Sequence, residues 1–448
     1  MAGLSRYAID LTPLRTSREF RYIFIARTIS IFGLGLLLVA VPLQVYDMTN
    51  STLAVGAASI VVGSSVFIGT LFGGVIADRY DRRPVISLAR GAAGVAFAIL
   101  AVNAFLPTPQ LWIIYLCGVI EGLAGGISAT ALMAVIPSLL PKDKMAAAGA
   151  LMTVMADLGT VASPAIGGVI IAATSVGTNY VLAAVSSGIT AYCIARLPSL
   201  PPPVKNTESP LRSIASGFTY AAKDSVVGGT LLVGFCAMML TGWNVLLPAY
   251  ASQVLHAGPA ATGLLYSAPA VGALTGSLTS GWTGTARRGG LIVFLAAMIA
   301  SAGLIGVGAV PMIAVTFLGL AAHGFGRVLG DILRYAVIQT ETPEEYRGRV
   351  AGVWGAQIST GSAAGALVAG AVGAAVGPRE AFLLYGAGGI VVLAVLAVAL
   401  KGLRTYSSGG GRGGAPPRPA PRRGEGGASR PARGCRAAPP AGGASREP

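Results

Sequence analysis

The chain is 448 residues long, 54% hydrophobic and only 11% charged, with a mean hydropathy of +0.71. A soluble domain carries about 25% charged residues, so this is a polytopic membrane protein. Of the net charge of +15, residues 405–448 supply +6 (eight Arg against Glu425 and Glu447). The remaining +9 lies almost wholly in alternate loops, so nucleic-acid binding is an unneeded reading of the high pI.

A basic segment, residues 1–21, opens the chain. The apolar run behind it is full length and lacks a short core with a cleavage site, so it reads as a retained anchor. Apolar runs then fall at 22–46, 54–77, 84–106, 111–137, 146–173, 177–197, 226–250, 259–283, 290–309, 311–340, 350–376 and 380–400. A span needs about 20 residues, which gives twelve transmembrane helices in an all-α fold.

Loop charge orients them. Arg6, Arg15, Arg18 and Arg21 precede the first span, and Arg79, Arg82 and Arg83 follow the second. Lys142 and Lys144 follow the fourth, Arg196, Lys205, Arg212 and Lys223 surround the middle linker, and Arg287, Arg288, Arg347 and Arg349 mark later loops on the same side. The opposite loops offer only Arg379. By the positive-inside rule both termini are cytoplasmic and the protein sits in the inner membrane.

The linker 198–225, with Pro198, Pro201, Pro202 and Pro203, divides the spans six and six, into halves 22–197 and 226–401. The halves align at a constant offset of 202 residues: Gly74 with Gly276, Gly122 with Gly324, Val135-Ile136 with Val337-Ile338, Pro141 with Pro343, Gly159 with Gly361, Gly168 with Gly370. One offset held over several helices implies a duplicated six-helix unit in parallel orientation, as in transporters. The tail, 402–448, has no core-forming pattern and reads as disordered. Its arginines suit either contact with anionic lipid or plain solvation. Cys117, Cys193 and Cys236 lie in spans and Cys435 in the tail, with no disulfide or metal-site spacing and no cofactor implied.

The most charged turn between spans is Gly73-Gly74-Val75-Ile76-Ala77-Asp78-Arg79-Tyr80-Asp81-Arg82-Arg83-Pro84. Its pattern, G-x-x-x-D-R-x-x-R-R after the second span, resembles the signature loop of the major facilitator superfamily, with Asp81 where the family usually has Gly. The resemblance implies that Gly74, Asp78, Arg79, Arg82 and Arg83 form a gating loop, with Asp78 facing the start of the eleventh helix near Val350. A carboxylate at a helix N-terminus gains about 0.3–1 kcal/mol. The plainer reading of the arginines is positive-inside anchoring. At the 202-residue offset Asp78 becomes Ser280, so the second half lacks the latch.

The fifth span carries Gly159-x-x-x-Ser163-Pro164-x-x-Gly167-Gly168. Small residues at this spacing let helices approach closely, and Pro164 removes a backbone hydrogen bond and permits a bend. The motif resembles the antiporter motif of the same superfamily, with Ser163 for one Gly, and implies proton-coupled export. An ordinary packing face is the alternative. Pro343-Glu344-Glu345-Tyr346-Arg347-Gly348-Arg349-Val350 resembles the loop before the eleventh helix in many members.

Charges within spans are costly and are functional candidates by default. Glu121, ten residues into the fourth span, lies about 15 Å deep at 1.5 Å per residue. Asp157 is about as deep in the fifth. Either suits a proton carrier, or else a carboxylate hydrogen-bonded across helices. Drug–proton antiporters of the family carry an Arg where this chain has Gly118. His323, Arg327, Asp331 and Arg334, spaced 4, 4 and 3, share one face of the tenth span. They read as a site for an anionic cargo, or as a neutralised Arg327–Asp331 pair with Arg334 at the cytoplasmic edge. Arg27 either joins the cavity or snorkels to the interface. Trp243, Tyr250 and Tyr266 offer stacking surfaces for a planar cargo, or interfacial anchors.

Within the superfamily, Gly73–Gly91, Val39–Gln44, Leu264–Gly281 and Gln339–Gln357 resemble siderophore exporters. That implies proton-driven export of an enterobactin-like catecholate by alternating access in a monomer. The partners are then a small-molecule cargo, protons and the lipid bilayer. A multidrug–proton antiporter is the near alternative. A membrane enzyme using Asp78-x-x-Asp81 for Mg²⁺ is the distant one, and it lacks a second acidic motif.

Overall fold

The computed structural model describes residues 11–133, 135, 144–200, 210–286 and 288–406. Arg6, Ile136, Pro141, Lys142, Lys205, Arg287, Cys435 and the tail from residue 407 lie outside the described residues, so the readings placed on them stand as expectations.

Twelve main helices follow in order: α1 Arg18–Thr49, α2 Thr52–Arg79, α3 Arg82–Phe105, α4 Leu111–Met133, α5 Met145–Ala173, α6 Val176–Ala195, α7 Ser225–Met239, α8 Pro259–Leu278, α9 Gly289–Ala309, α10 Ile313–Glu341, α11 Glu344–Val376 and α12 Pro378–Ala399. Local chemistry sets their ends. Ser17 caps α1 by accepting from the Phe20 amide at 3.0 Å, and Asp224 caps α7 by accepting from the Val226 and Val227 amides. Such side-chain caps satisfy amides that have no partner inside the helix. Asn50, left-handed at φ 49°, closes α1 and leaves only Ser51 before α2. Gly377, at φ 91°, turns α11 into α12, a conformation that glycine adopts without steric cost.

Among the described residues ten helices are long and apolar enough to cross a bilayer. The other two main helices, α6 and α8, have 20 residues each and pack into the same bundle. Two spans are not continuous. The seventh runs through α7, a 3-10 stretch Leu240–Val245 and a short helix Leu247–Gln253, and the eighth gives way to a 3-10 stretch Ser280–Thr285. The linker, read from the sequence as a break, contains a helix, Pro210–Lys223.

The packing repeats. In the first six helices α2 lies on α4, α3 on α4 and α6, and α1 on α5 and α6. Six helices later α8 lies on α10, α9 on α10 and α12, and α7 on α11. The two sets meet through α2–α11 and α5–α8, a pair that the same displacement exchanges.

Small residues make both crossings. A Cβ on Gly168 of α5 would lie 2.7 Å from the Gly263 Cα of α8, and one on Gly56 of α2 would lie 2.8 Å from the Ala366 oxygen of α11. Thr52 Oγ1 donates to the Gly370 carbonyl at 2.8 Å, and Gln253 Nε2 donates to the Tyr46 hydroxyl at 2.6 Å. These contacts gather at the end of the bundle where α1 turns into α2. At the other end the linker helix lies on the start of α11: Tyr220 stacks on Tyr346 at 4.6 Å, and a Cβ on Gly217 would meet the Arg349 oxygen at 2.4 Å.

Candidate functional site: a cavity between the halves

The α2–α3 loop is built around Asp81. Its Oδ1 accepts from the Arg83 amide at 2.9 Å, capping α3, and from the Leu200 amide at 3.1 Å. Ser199 Oγ donates to its Oδ2 at 2.5 Å, and the Arg82 amide donates to the Leu200 carbonyl at 3.1 Å. Partial burial pushes the Asp81 carboxyl up, but these hydrogen bonds and the Arg83 charge outweigh it and hold the group below the ordinary carboxylate value. The departure from the family's Gly therefore ties the loop to the chain leaving α6. Arg82 is buried, Arg83, Gly74 and Asp78 are half-buried, and Arg79 is exposed.

Asp78 makes no hydrogen bond or ion pair with α11 among the described residues. Val350 instead packs in a cluster with Ala221 of the linker helix and Val227 and Leu231 of α7. The linker helix takes the place at the start of α11 that the sequence reading gave to Asp78.

The motif of α5 is a packing face in this conformation. Gly159, Ser163, Pro164, Gly167 and Gly168 are all buried. Gly159 lies against Ile31 of α1, Ser163 against Gly35 and Gly167 against Leu36, while Pro164 and Gly168 press on Gly263. One helix thus touches α1 of its own half and α8 of the other. Asp157, two residues before this stretch, is half-buried.

A cavity of about 330 Å³ opens between the halves. Leu34, Leu37, Leu38, Val41, Phe97 and Leu100 make it chiefly apolar, and Ser59, Glu121, Asn244 and Ser362 supply its polar groups. Glu121 comes from α4, whereas Asn244 and Ser362 come from the other half. Glu121 feels the positive charge of Arg90 on α3, which in turn feels Arg27 on α1. Arg90 is 8% exposed, and its Nε donates to Ser128 Oγ of α4 at 2.8 Å. The sequence reading did not single out Arg90. The signal was present, since an arginine eight residues into a span is itself exceptional.

The α10 cluster turns inward instead. Asp331 Oδ2 accepts from Arg327 Nη1 at 3.0 Å, and its Oδ1 accepts from Arg334 Nη2. Arg334 is 1% exposed, so it is not at an edge, and its guanidinium lies 5.0 Å from the Trp354 ring centre. One carboxylate thus answers two arginines. Arg334 Nη1 and the Gln357 amide are buried without partners beside Gly234, where a Cβ would lie 1.9 Å from that Nη1. The His323 ring, 2% exposed, sets Nδ1 3.1 Å from the Ala300 carbonyl.

The aromatic triad is a correction. Trp243, Tyr250 and Tyr266 are 5%, 0% and 5% exposed and belong to the core of the second half, neither on the cavity wall nor at an interface. Trp243 packs near Tyr266, His323 and Phe382. The Tyr266 hydroxyl donates to the Asn244 carbonyl at 2.8 Å, and the Tyr250 hydroxyl to the Val307 carbonyl. The apolar bodies are enclosed and the polar tips satisfied.

Comparison with known proteins fits this geometry. The profile of the Major Facilitator Superfamily matches residues 23–325 and 230–432. The enterobactin exporter EntS of Citrobacter koseri is 40% identical over 401 residues, covering 89% of this chain and 96% of that protein. EntS of Escherichia coli O1:K1 is 39% identical over 400 residues, with the same coverage. Among solved structures, the nucleoside transporter NupG superposes with a TM-score of 0.71 at 14% identity, over 87% of this chain and 100% of NupG. The peptide transporter POT in complex with sulfate gives 0.68 at 13%, over 87% of this chain and 95% of that one. At such identities the structures speak for the fold alone, whereas profile and relatives speak for descent. The chain is a multi-pass membrane transporter that belongs to the major facilitator superfamily.

Proposed function

We propose that the protein exports a catecholate siderophore, enterobactin-like, from the cytoplasm, driven by proton entry and working by alternating access. The observation that carries this is the 40% identity to the enterobactin exporter EntS across 89% of the chain. Loop charge supports an inner-membrane location with both termini cytoplasmic. The α1–α2 end of the bundle is then the outer face, and the contacts gathered there correspond to a closed outer gate. The halves 22–197 and 226–401 are the moving bodies, the α2–α3 loop is the inner gate, and the α5 motif is the seal between halves. A cavity enclosed by one chain supports a monomer as the working unit.

Glu121 is the proposed proton site because it lines the cavity between the halves, with Asp157 as the second candidate. The test is siderophore efflux from energised, iron-starved cells lacking their own exporter. Wild type should export, a protonophore should abolish export, and Glu121→Gln should reduce it at least tenfold, as loss of a group essential to each cycle would. Collapse with Asp157→Asn instead would move the proton site. The mainly apolar wall favours one other reading, a multidrug–proton antiporter. Resistance to lipophilic dyes without catecholate export would establish that reading and end the first.

A further inference from the structure

The break in the seventh span lies at the cavity, where two backbones meet. A Cβ on Gly242 would sit 2.1 Å from the Gly365 carbonyl carbon of α11, so the two backbones touch there. From Leu240 to Val245 the chain is wound as a 3-10 helix. Such a stretch within a helix often marks a functional position, and transporter sites are typically formed where spanning helices are discontinuous.

Two residues after Gly242, this stretch carries Asn244 to the cavity. Its backbone is held by the Tyr266 hydroxyl. Its side-chain amide makes no hydrogen bond among the described residues, and Oδ1 is buried without a partner. Buried polar atoms are normally satisfied, so such an atom calls for an explanation. Glu121, from the other half, lines the same cavity and likewise has no hydrogen-bond partner among the described residues. The wall therefore presents a carboxylate that faces the Arg90 charge without a hydrogen bond and an amide without a partner, each from a different half, over a chiefly apolar surface that also holds Ser59 and Ser362.

We infer that Asn244 and Glu121 together form the cargo-binding pair, and that they take an aromatic ring bearing vicinal hydroxyls. This rests on the siderophore reading and deepens it. A carboxylate only accepts, whereas an amide both donates and accepts. A catechol matches both: one hydroxyl donates to Glu121, its neighbour exchanges a hydrogen bond with the Asn244 amide, and the ring face rests on leucine and valine. The cargo then touches both halves at once. The assignment replaces the α10 cluster, whose Asp331 is already engaged by two arginines.

The test is equilibrium binding of a dihydroxybenzamide and of its dimethyl ether to the purified full chain in lipid nanodiscs. Asn244→Leu should weaken the catechol by about threefold to tenfold, the value of one neutral hydrogen bond. Asn244→Gln, which keeps the amide, should recover most of that loss. The dimethyl ether, which can accept but not donate, should lose less on Asn244→Leu than the catechol does, a difference that a merely misfolded variant would not show. Unchanged catechol affinity in Asn244→Leu overturns the pair while leaving the siderophore reading intact. A wild type that binds lipophilic dye but no catechol overturns both.

Discussion

Asp81 shows how far a single position reaches. It caps α3 and holds the chain after α6 through Ser199 and Leu200. Its charge was legible as a departure from a motif, but its purpose was not, because its partners lie 118 and 119 residues away. Asp81→Ala should cost about 1 kcal/mol at neutral pH, as loss of a helix cap does. Because folding lowers its pKa, the Asp81 contribution is complete above the ordinary carboxylate value of 3.8. It is lost as the pH falls below that value and through the lowered folded one. Melting curves of wild type and variant in detergent, from neutral pH to about 3, should therefore converge at the acid end. Depth in a span singled out Glu121, which the structure sets half-buried on the cavity wall, whereas the orphaned amide of Asn244 emits no sequence signal, since an asparagine beside a tryptophan in an apolar run looks ordinary.

Among the elements, hydropathy disclosed the twelve spans because each must satisfy its backbone internally. It did not disclose the interruption in the seventh, where Gly365 of another helix, α11, closely approaches Gly242. The linker helix escaped because its prolines precede it and its apolar face is completed by Val350 and Val353. The α5 motif was legible as a small-residue face, yet only the fold assigns α1 and α8 as its partners. Gly168→Leu tests that assignment. The added side chain meets the Pro259 oxygen and Gly263 backbone, and overpacking of this kind typically costs about 1–3 kcal/mol. Siderophore efflux should fall sharply, and unchanged efflux would show that this crossing tolerates separation.

For the molecule as a whole, the 202-residue repeat implied a duplicated six-helix unit, and the α2–α11 and α5–α8 contacts are exchanged by a displacement of six helices. Which end of the bundle would be drawn together was not legible, because under the alternating access proposed above one sequence serves both arrangements. The Gln253–Tyr46 hydrogen bond marks the joined end. Cysteines replacing Tyr46 and Gln253 should be bridged by a reducible bifunctional thiol reagent, which should stop efflux, and reductant should restore it. Efflux that continues in the crosslinked protein would show that this end never separates.

The lengths of the helices have their own consequence. Helices that pack only within their own half are short, 20 residues in α6, 21 in α9 and 22 in α12, about 30–33 Å at 1.5 Å per residue. Three of the helices that join the halves are longer, 28 residues in α2, 29 in α5 and 33 in α11, about 50 Å for the last on the same scale, while α8, with 20, is extended by the 3-10 stretch that follows it. The short helices form the belt that lipid tails must match, while the long ones tilt or project beyond it. Acyl-chain length then becomes a control on the transporter: a thicker membrane stretches to cover the projecting ends, and each change of tilt during the cycle carries a lipid cost of fractions of a kcal/mol per Å of mismatch.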